Sequence, residues 1–181
     1  MKRVAAVVAI LGLFVMGSAA ALADTELFPG ANRPAGEAGV IALNPGASLT
    51  IDMPAAGAVP GAVSRVRHII ANTTGAALRY ALKSESANAD GKGLRSVLNV
   101  TITACDGADP TPLYTGPLGP ATAGFGDTRI GADPGDRVLE PGERATLCFE
   151  TAMSPAAGNE FQGATTRTTW TIRSEQVAGN A

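Results

Sequence analysis

Few residues of this chain have the chemistry of a catalytic group. Its one histidine, His68, lies in the alternating segment Val63–Asn72, which predicts a packed strand histidine. A zinc-protease helix of the H-E-x-x-H type needs two histidines, and the G-x-S-x-G sequence that places a serine nucleophile is missing. The phosphate-binding G-x-x-x-x-G-K sequence and the dinucleotide fingerprint are missing too. The sequence therefore predicts a protein that is not an enzyme, with no catalytic residue, cofactor or metal.

The two cysteines, Cys105 and Cys148, predict a disulfide. In an oxidising compartment two cysteines of one small domain usually pair, and the alternative is two buried thiols. Cys148 alternates with Leu147 and Phe149, and Cys105 falls opposite the phase of Val100. We therefore expect a bridge between neighbouring strands, on an outer face or at strand ends. Whether it forms within one chain or between two chains stays open.

An acidic cluster occupies a glycine-rich segment, with Asp127, Asp133, Asp136 and Glu140 close together in sequence. Carboxylates and carbonyls in such a loop can bind Ca²⁺, but the spacing matches no EF-hand. A solvated loop is the favoured interpretation, and calcium is the alternative.

The first residues have the pattern of a secretory signal peptide. A basic start, Met1–Arg3, precedes the uncharged run Val4–Met16, and an A-x-A sequence ends at Ala23. We predict a signal helix over residues 1–23 and cleavage between Ala23 and Asp24. An uncleaved anchor is the alternative, since about 20 apolar residues span a bilayer. The expected location is outside the cell, either secreted or on the cell surface.

Charge and composition exclude two kinds of partner. The chain has 14 basic and 16 acidic residues, and Lys2 and Arg3 leave with the signal. An acidic mature domain is not built to hold a polyanion, so nucleic acid is not an expected partner. No later apolar run has the length of a membrane span, so no membrane contact is expected after signal removal.

Short strands dominate the rest of the sequence. The chain has 22 glycines and 12 prolines, which favour turns over long helices. The predicted strands are Ser48–Met53, Val63–Asn72, Leu78–Lys83, Leu98–Thr103, Leu113–Gly116, Ala145–Glu150 and Thr165–Arg173. Their spacing predicts an all-β fold, an antiparallel β-sandwich of jelly-roll type with about 7–9 strands.

The turn signal Asn72–Gly75 separates two of these segments, Val63–Asn72 and Leu78–Lys83, and predicts that they form an antiparallel hairpin. Leu94–Leu98 has the pattern of one helical turn. The predicted organisation is a signal peptide (1–23), an extended arm (24–47), the sandwich (48–176) and a flexible tail (177–181).

The order of short motifs along the chain is also informative. The motifs are Asn72-x-x-Gly75-x-x-Leu78, Leu94–Ile102, Leu113-Tyr114-x-Gly116-x-Leu118, Leu139-x-Pro141-Gly142-Glu143, Leu147-Cys148-Phe149, Asn159-x-Phe161-Gln162-Gly163, Trp170 and Glu175-Gln176. Over about residues 48–176 this set resembles the TasA/camelysin-like family of exported bacterial proteins with a SipW-dependent-type signal peptide. The most specific part is the last one, which we call the closing motif. It consists of Asn159, Phe161, Gln162 and Gly163, followed by Trp170 and Gln176.

The resemblance implies a jelly-roll sandwich and the function of a biofilm-matrix fibre subunit. In that family an N-terminal segment freed by signal cleavage adds as a strand to the next subunit, and here the candidate donor is Asp24–Leu43. The implied partner is another copy of the chain or another matrix protein. Two alternatives stay open: a secreted ligand- or carbohydrate-binding module, and a secreted peptidase of the camelysin type.

Overall fold

The structure, a computed structural model, describes residues 21–22, 37–88, 90–106, 110–118 and 123–177. Within these ranges the chain forms eleven strands and two 3₁₀ turns, Leu94–Val97 and Asn159–Phe161. The strands are β1 (Ala21–Leu22), β2 (Glu37–Leu43), β3 (Ser48–Ala56), β4 (Val63–Asn72), β5 (Leu78–Ala87), β6 (Leu98–Ala104), β7 (Pro112–Pro117), β8 (Gly124–Phe125), β9 (Arg137–Leu139), β10 (Arg144–Met153) and β11 (Thr165–Gln176). The predicted cleavage site at Ala23 and Asp24 lies outside the described residues.

The strands form two packed sheets, and the predicted all-β antiparallel sandwich is confirmed. Sheet A has the order β1-β3-β11-β5-β8, with β9 also paired to β5, and sheet B has the order β2-β4-β10-β6-β7. Most neighbours are antiparallel, but β1 runs parallel to β3 and β2 runs parallel to β4. Three of the strands, β1, β8 and β9, have only two or three residues, which is why the count exceeds the expected 7–9.

The predicted hairpin of β4 and β5 is wrong. Strand β4 pairs with β2 and β10 in sheet B, whereas β5 pairs with β11 in sheet A, so residues 73–77 cross between the sheets. The buried side chains of both strands, such as Ile70 and Leu82, meet in the same core from opposite sides. Alternation identifies the buried face of a strand but not the sheet to which the strand belongs. A hairpin and a crossover between sheets therefore give the same alternation of apolar and polar residues.

The sandwich begins earlier than the predicted boundary at residue 48. Strand β2 lies in the segment 24–47, which the sequence predicts as an arm, and it forms the edge of sheet B. Its residues Ile41 and Leu43 are fully buried in the core. The described part of this segment is extended, as expected, but it belongs to the sheet.

Aromatic rings fill the centre of the core. The buried ring of Phe149 lies edge-on to Trp170 at 5.2 Å and to His68 at 5.6 Å between centroids. Tyr80 contacts Phe125 in the same way. Edge-to-face pairs of this kind add to the hydrophobic stabilisation of a core. The predicted packed strand histidine is thus confirmed.

Candidate functional site

The two cysteines form one disulfide within the chain. Cys148 lies in β10 and Cys105 directly follows β6, which is the antiparallel neighbour of β10. Their Cα atoms are 6.0 Å apart and both residues are partly exposed on the outer side of sheet B. The predicted bridge between neighbouring strands is confirmed, and it is intramolecular.

The edge of sheet A at β3 has little cover. On one side β3 pairs with β11 along nine residues. On the other side, within the described residues, only Thr50 and Ile51 have partners, and these are Ala21 and Leu22 of β1. An edge strand with unpaired N–H and C=O groups is a template for another strand. The two residues that cover it belong to the predicted signal peptide.

The sandwich has two ends, which we name after their most prominent side chains. The Phe161 pole consists of the loops 57–62, 90–93 and 154–164. The Ile130 pole consists of the loops 44–47, 73–77, 126–136 and 140–143. Strand β11 runs from the first pole to the second, a span of about 40 Å for its 12 residues.

The Phe161 pole contains a cleft of about 350 Å³. It is lined by Val59 and Pro60 on one side and by Phe161 on the other, with Met153 also in its wall. Phe161 is half-buried. The cleft thus combines an aromatic ring and apolar side chains with two polar residues, Asn159 and Gln162.

Polar groups at this pole are exposed and hold the loops from outside. The Asp90 carboxylate accepts hydrogen bonds from the backbone N–H and the hydroxyl of Thr165, and these bonds lower the pKa of Asp90. The Lys92 ammonium donates to the carbonyl of Gln162 at 2.8 Å. Asn159 and Gln162 leave their side-chain amides exposed beside the cleft.

The six residues of the closing motif do not form one site. Asn159, Phe161, Gln162 and Gly163 all line the cleft at the Phe161 pole. Trp170 is buried in the core, and Gln176 is exposed at the other end of β11. The motif therefore combines one loop, one core residue and one strand end.

At the Ile130 pole the acidic cluster organises a loop. Asp136 accepts hydrogen bonds from the backbone N–H groups of Asp127 and Asp133, at 2.9 and 3.0 Å. Asp127 pairs with the Arg129 guanidinium at 2.8 Å, and these hydrogen bonds hold the pKa of Asp127 at about 2. Within the described residues, no three His, Cys, Asp or Glu side chains are placed to hold a metal ion. The carboxylates of Asp127 and Asp136 thus bind the loop itself.

Two residues from distant parts of the sequence complete this loop. Arg79 donates to Glu175 at 2.8 Å, and Glu175 also accepts from the backbone N–H of Gly131. At Gly126, which has a φ of +65°, a Cβ would collide with the side chains of Asp136 and Ala81. The sequence motifs include Glu175 but give no sign that Arg79 is its partner, because the two residues are 96 positions apart. Only the strand pairing of β5 with β11 brings them together.

Asn72 is a second organiser of the same pole. Its buried side-chain amide donates to the carbonyls of Ala76, Leu139 and Glu140, and its oxygen accepts two hydrogen bonds from Thr74. The side chain therefore joins the turn after β4 to the turn before β10. The motif Asn72-x-x-Gly75-x-x-Leu78 contains this residue. Turn propensity alone gives no sign that its side chain also binds the turn before β10.

A shallow groove lies on the outer face of sheet B, with a volume of about 460 Å³. Arg65 and Arg67 line one wall, Thr101 and Thr103 line the other, and the disulfide lies nearby. Arg65 pairs with Glu150 at 2.8 Å, and both side chains are largely solvent-exposed.

No protein-family model and no curated protein matches this chain. Among solved structures, a distant match is the crystal structure of Aeromonas hydrophila PliG, a periplasmic lysozyme inhibitor of g-type lysozyme. The two sequences are 11% identical, the match covers 84% of this chain and 100% of that chain, and the TM-score is 0.34. A likeness this distant says nothing about what the chain binds. No helix in the described part of the chain is long and apolar enough to cross a membrane.

Proposed function

We propose that this chain is an exported structural protein of the bacterial cell surface or biofilm matrix, a fibre subunit that assembles by strand addition at β3. The proposal agrees with the resemblance of the motif order to the TasA/camelysin-like family. The disulfide supports export, because such bonds persist in oxidising compartments. The partner is another copy of the same chain.

The observation that carries this proposal is the cover of β3. Ala21 and Leu22 pair with Thr50 and Ile51, and cleavage after Ala23 would remove both of them. The backbone groups of β3 on that side would then be free to pair with an incoming strand. Main-chain hydrogen bonds of that kind provide affinity, and side-chain pockets on alternate residues provide specificity.

The donor strand also has a defined source. The candidate segment Asp24–Leu43 ends in β2, which already pairs with β4 of the same chain. Donation to β3 therefore uses the residues before Glu37, because β2 already belongs to sheet B.

The test is assembly of the secreted protein, followed by sedimentation and negative-stain microscopy. Thr50→Lys should reduce the fraction in fibres several-fold, because a lysine on an edge strand opposes further pairing. Thr115→Lys is the matched control, since Thr115 is on β7, the edge strand of sheet B. N-terminal sequencing of the secreted protein should show that the mature chain begins at Asp24. A protein that stays monomeric at high concentration, without fibres around the producing cells, would refute the proposal.

A second candidate function is a ligand-binding module that uses the groove on sheet B. Arg65 and Arg67 at its wall favour a ligand with a carboxylate or sulfate, such as an acidic sugar. The rings of Trp170 and Tyr80 do not support this function, because both residues are buried and cannot stack against a sugar. A glycan array that includes acidic sugars tests this function. An array without binding would refute it.

We also propose that the protein is not an enzyme, and that the camelysin-type peptidase activity is absent. His68 is 2% exposed and packs on Phe149, so it is out of reach of a substrate. A casein-cleavage assay on the secreted protein should show no activity. Cleavage that disappears with a single carboxylate substitution would overturn this part.

A further inference from the structure

His68 is a titratable side chain that lies in the core without a polar partner. It is 2% exposed, and its ring packs edge-on against Phe149 at 5.6 Å. Among the residues that the structure describes, none forms a hydrogen bond with its Nε2 atom. A buried polar group without a partner is unfavourable, and a buried charge without one is more so. The neutral imidazole is therefore tolerated at this place, whereas an imidazolium is not.

No charged side chain in the described part of the chain faces His68 from the strands around it. In sheet B the charged residues of β4 and β10 occupy the outward-facing positions: Arg65, Arg67, Arg144 and Glu150. In sheet A the charged residues of β5 and β11 do the same: Arg79, Lys83, Glu85, Arg167, Arg173 and Glu175. Glu37 of β2 is in register with Arg67 rather than with His68. Asp52 of β3 is in register with the outward-facing Thr169.

The other titratable groups on the inner side of the sandwich are tyrosines. Burial raises the pKa of both Tyr80 and Tyr114, so both stay neutral below pH 7. A proton on His68 would therefore have no counter-charge in the described core. The protein can relieve this cost by exposing the ring to water.

The neighbouring edge strand gives the shortest route to water. His68 is in register with Leu147 of β10 on one side and with Ala38 of β2 on the other. Strand β10 is held on both sides by β4 and β6, whereas within the described residues β2 pairs with β4 alone. The register of β2 on β4 also shifts between Ala38 and Val40, so the ladder is irregular directly beside His68.

We propose that acid opens this edge of sheet B: a proton on His68 releases β2 from β4 while the other strands of the sandwich stay folded. Local openings of this kind come from the least protected segments of a fold. The open form exposes Ile41 and Leu43, which are fully buried in the closed form, and it frees the edge of β4. This inference goes beyond the proposed function and does not depend on fibre assembly.

The direction of the effect follows from the two protonation equilibria. Burial lowers the pKa of His68 from 6.5 to about 4 in the closed form. The open form, with the ring in water, binds the proton below pH 6.5. The closed form is therefore fully favoured above pH 6.5, loses ground as the pH falls to 4, and loses no more below that. Each pH unit in this window is tenfold, so the ratio of open to closed molecules rises about 300-fold in all.

Amide hydrogen exchange of the secreted protein, followed by NMR between pH 7 and pH 4, tests the proposal. After correction for the intrinsic exchange rate, the protection of the β2 amides should fall about 300-fold. The amides of β7, the other edge strand of sheet B, are the matched control. Opening of β7 does not uncover His68, so the protection of β7 should not change with pH. The amides of β10 should stay better protected than those of β2 at every pH.

Two variants assign the effect to the imidazole. His68→Gln keeps a polar group and His68→Leu replaces the ring by an apolar side chain, and neither titrates in this window. In each variant the protection of β2 should stay constant within about twofold, because no proton is taken up on opening. Circular dichroism spectra that match those of the natural chain show that the variants are folded. The comparison of β2 with β7 in the natural chain tests the proposal even where a variant does not fold.

Three results would overturn the proposal. The first is a protection of β2 that does not change between pH 7 and pH 4. The second is a pH dependence of β2 that persists in a folded His68 variant, which would assign it to another group. The third is equal protection of β2 and β10, which would show that the sandwich unfolds as one unit. None of these results bears on strand addition at β3, which the assembly experiment tests separately.

Discussion

The two poles of the sandwich are held together in different ways. At the Ile130 pole, buried side chains of Asn72 and Asp136 satisfy backbone groups from several loops. At the Phe161 pole, Asp90 and Lys92 bind the loops from the exposed surface. Buried hydrogen bonds are costly to break, whereas exposed polar pairs contribute little. The comparison indicates one pole built for rigidity and one left open around a cleft.

The largest expected effect comes from the disulfide, which lies in the half of sheet B next to the Ile130 pole. Its cysteines are 43 residues apart, and the chain-entropy model gives a stabilisation of about 4 kcal/mol for such a loop. A Cys105→Ala/Cys148→Ala variant should lose that much free energy of unfolding. Urea denaturation measures it, and a loss below about 1 kcal/mol would show that the bridge does not constrain the unfolded chain.

The next effect tests the buried organiser of the same pole. Asn72→Ala removes five hydrogen bonds and leaves the buried Leu139 carbonyl without the amide donor, so it should cost about 3 kcal/mol. Denaturation midpoints measure the loss. Asp90→Ala at the Phe161 pole is the matched control and should shift the midpoint far less. Equal shifts would contradict the difference between the poles.

The smallest effect concerns the core between the poles. Burial lowers the pKa of His68 from 6.5 to about 4, because the charged imidazolium is poorly solvated there. The unfolded chain binds this proton below pH 6.5 and the folded chain only below about pH 4. Stability should therefore fall as the pH drops from 6.5 to 4, by about 1 kcal/mol per unit.

His68 is the only histidine, so the chain offers a clean control for this slope. A His68→Gln variant should lose the pH dependence in that window. The lowered pKa of Asp127 affects stability mainly between its ordinary value of 3.8 and about 2, which is below this window. An equal slope in the variant would assign the effect to other groups.

The sequence predicts the faces of the strands well, and it predicts their partners poorly. Alternation in the sequence puts Thr168, Trp170 and Ile172 of β11 on one face, and all three are buried; the outward position of Cys148 agrees with its alternation too. It could not distinguish a hairpin of β4 and β5 from a crossover, because both bury one face in the same core. The parallel pairing of β2 also has no local sign, since parallel partners depend on the whole sheet.

The same limit applies to the candidate sites. The residues of the motif Asn159–Gly163 line a cleft, but the motif gives no sign of the residues around Val59, which come from another connection. The charged residues of the Ile130 loop were visible in sequence as a possible calcium site. Arg79 and Glu175, which complete the loop, come from β5 and β11, and only the tertiary structure joins them.

The parallel contact between β1 and β3 also bears on timing. On the proposed function, a precursor that keeps its leader holds Ala21 and Leu22 against Thr50 and Ile51, so it carries its own inhibitor of polymerisation. The export peptidase would then act as the trigger that arms each subunit at the cell boundary. Among the residues that the structure describes, the two-residue strand β1 would be the part of the leader that prevents premature fibres in the cytoplasm.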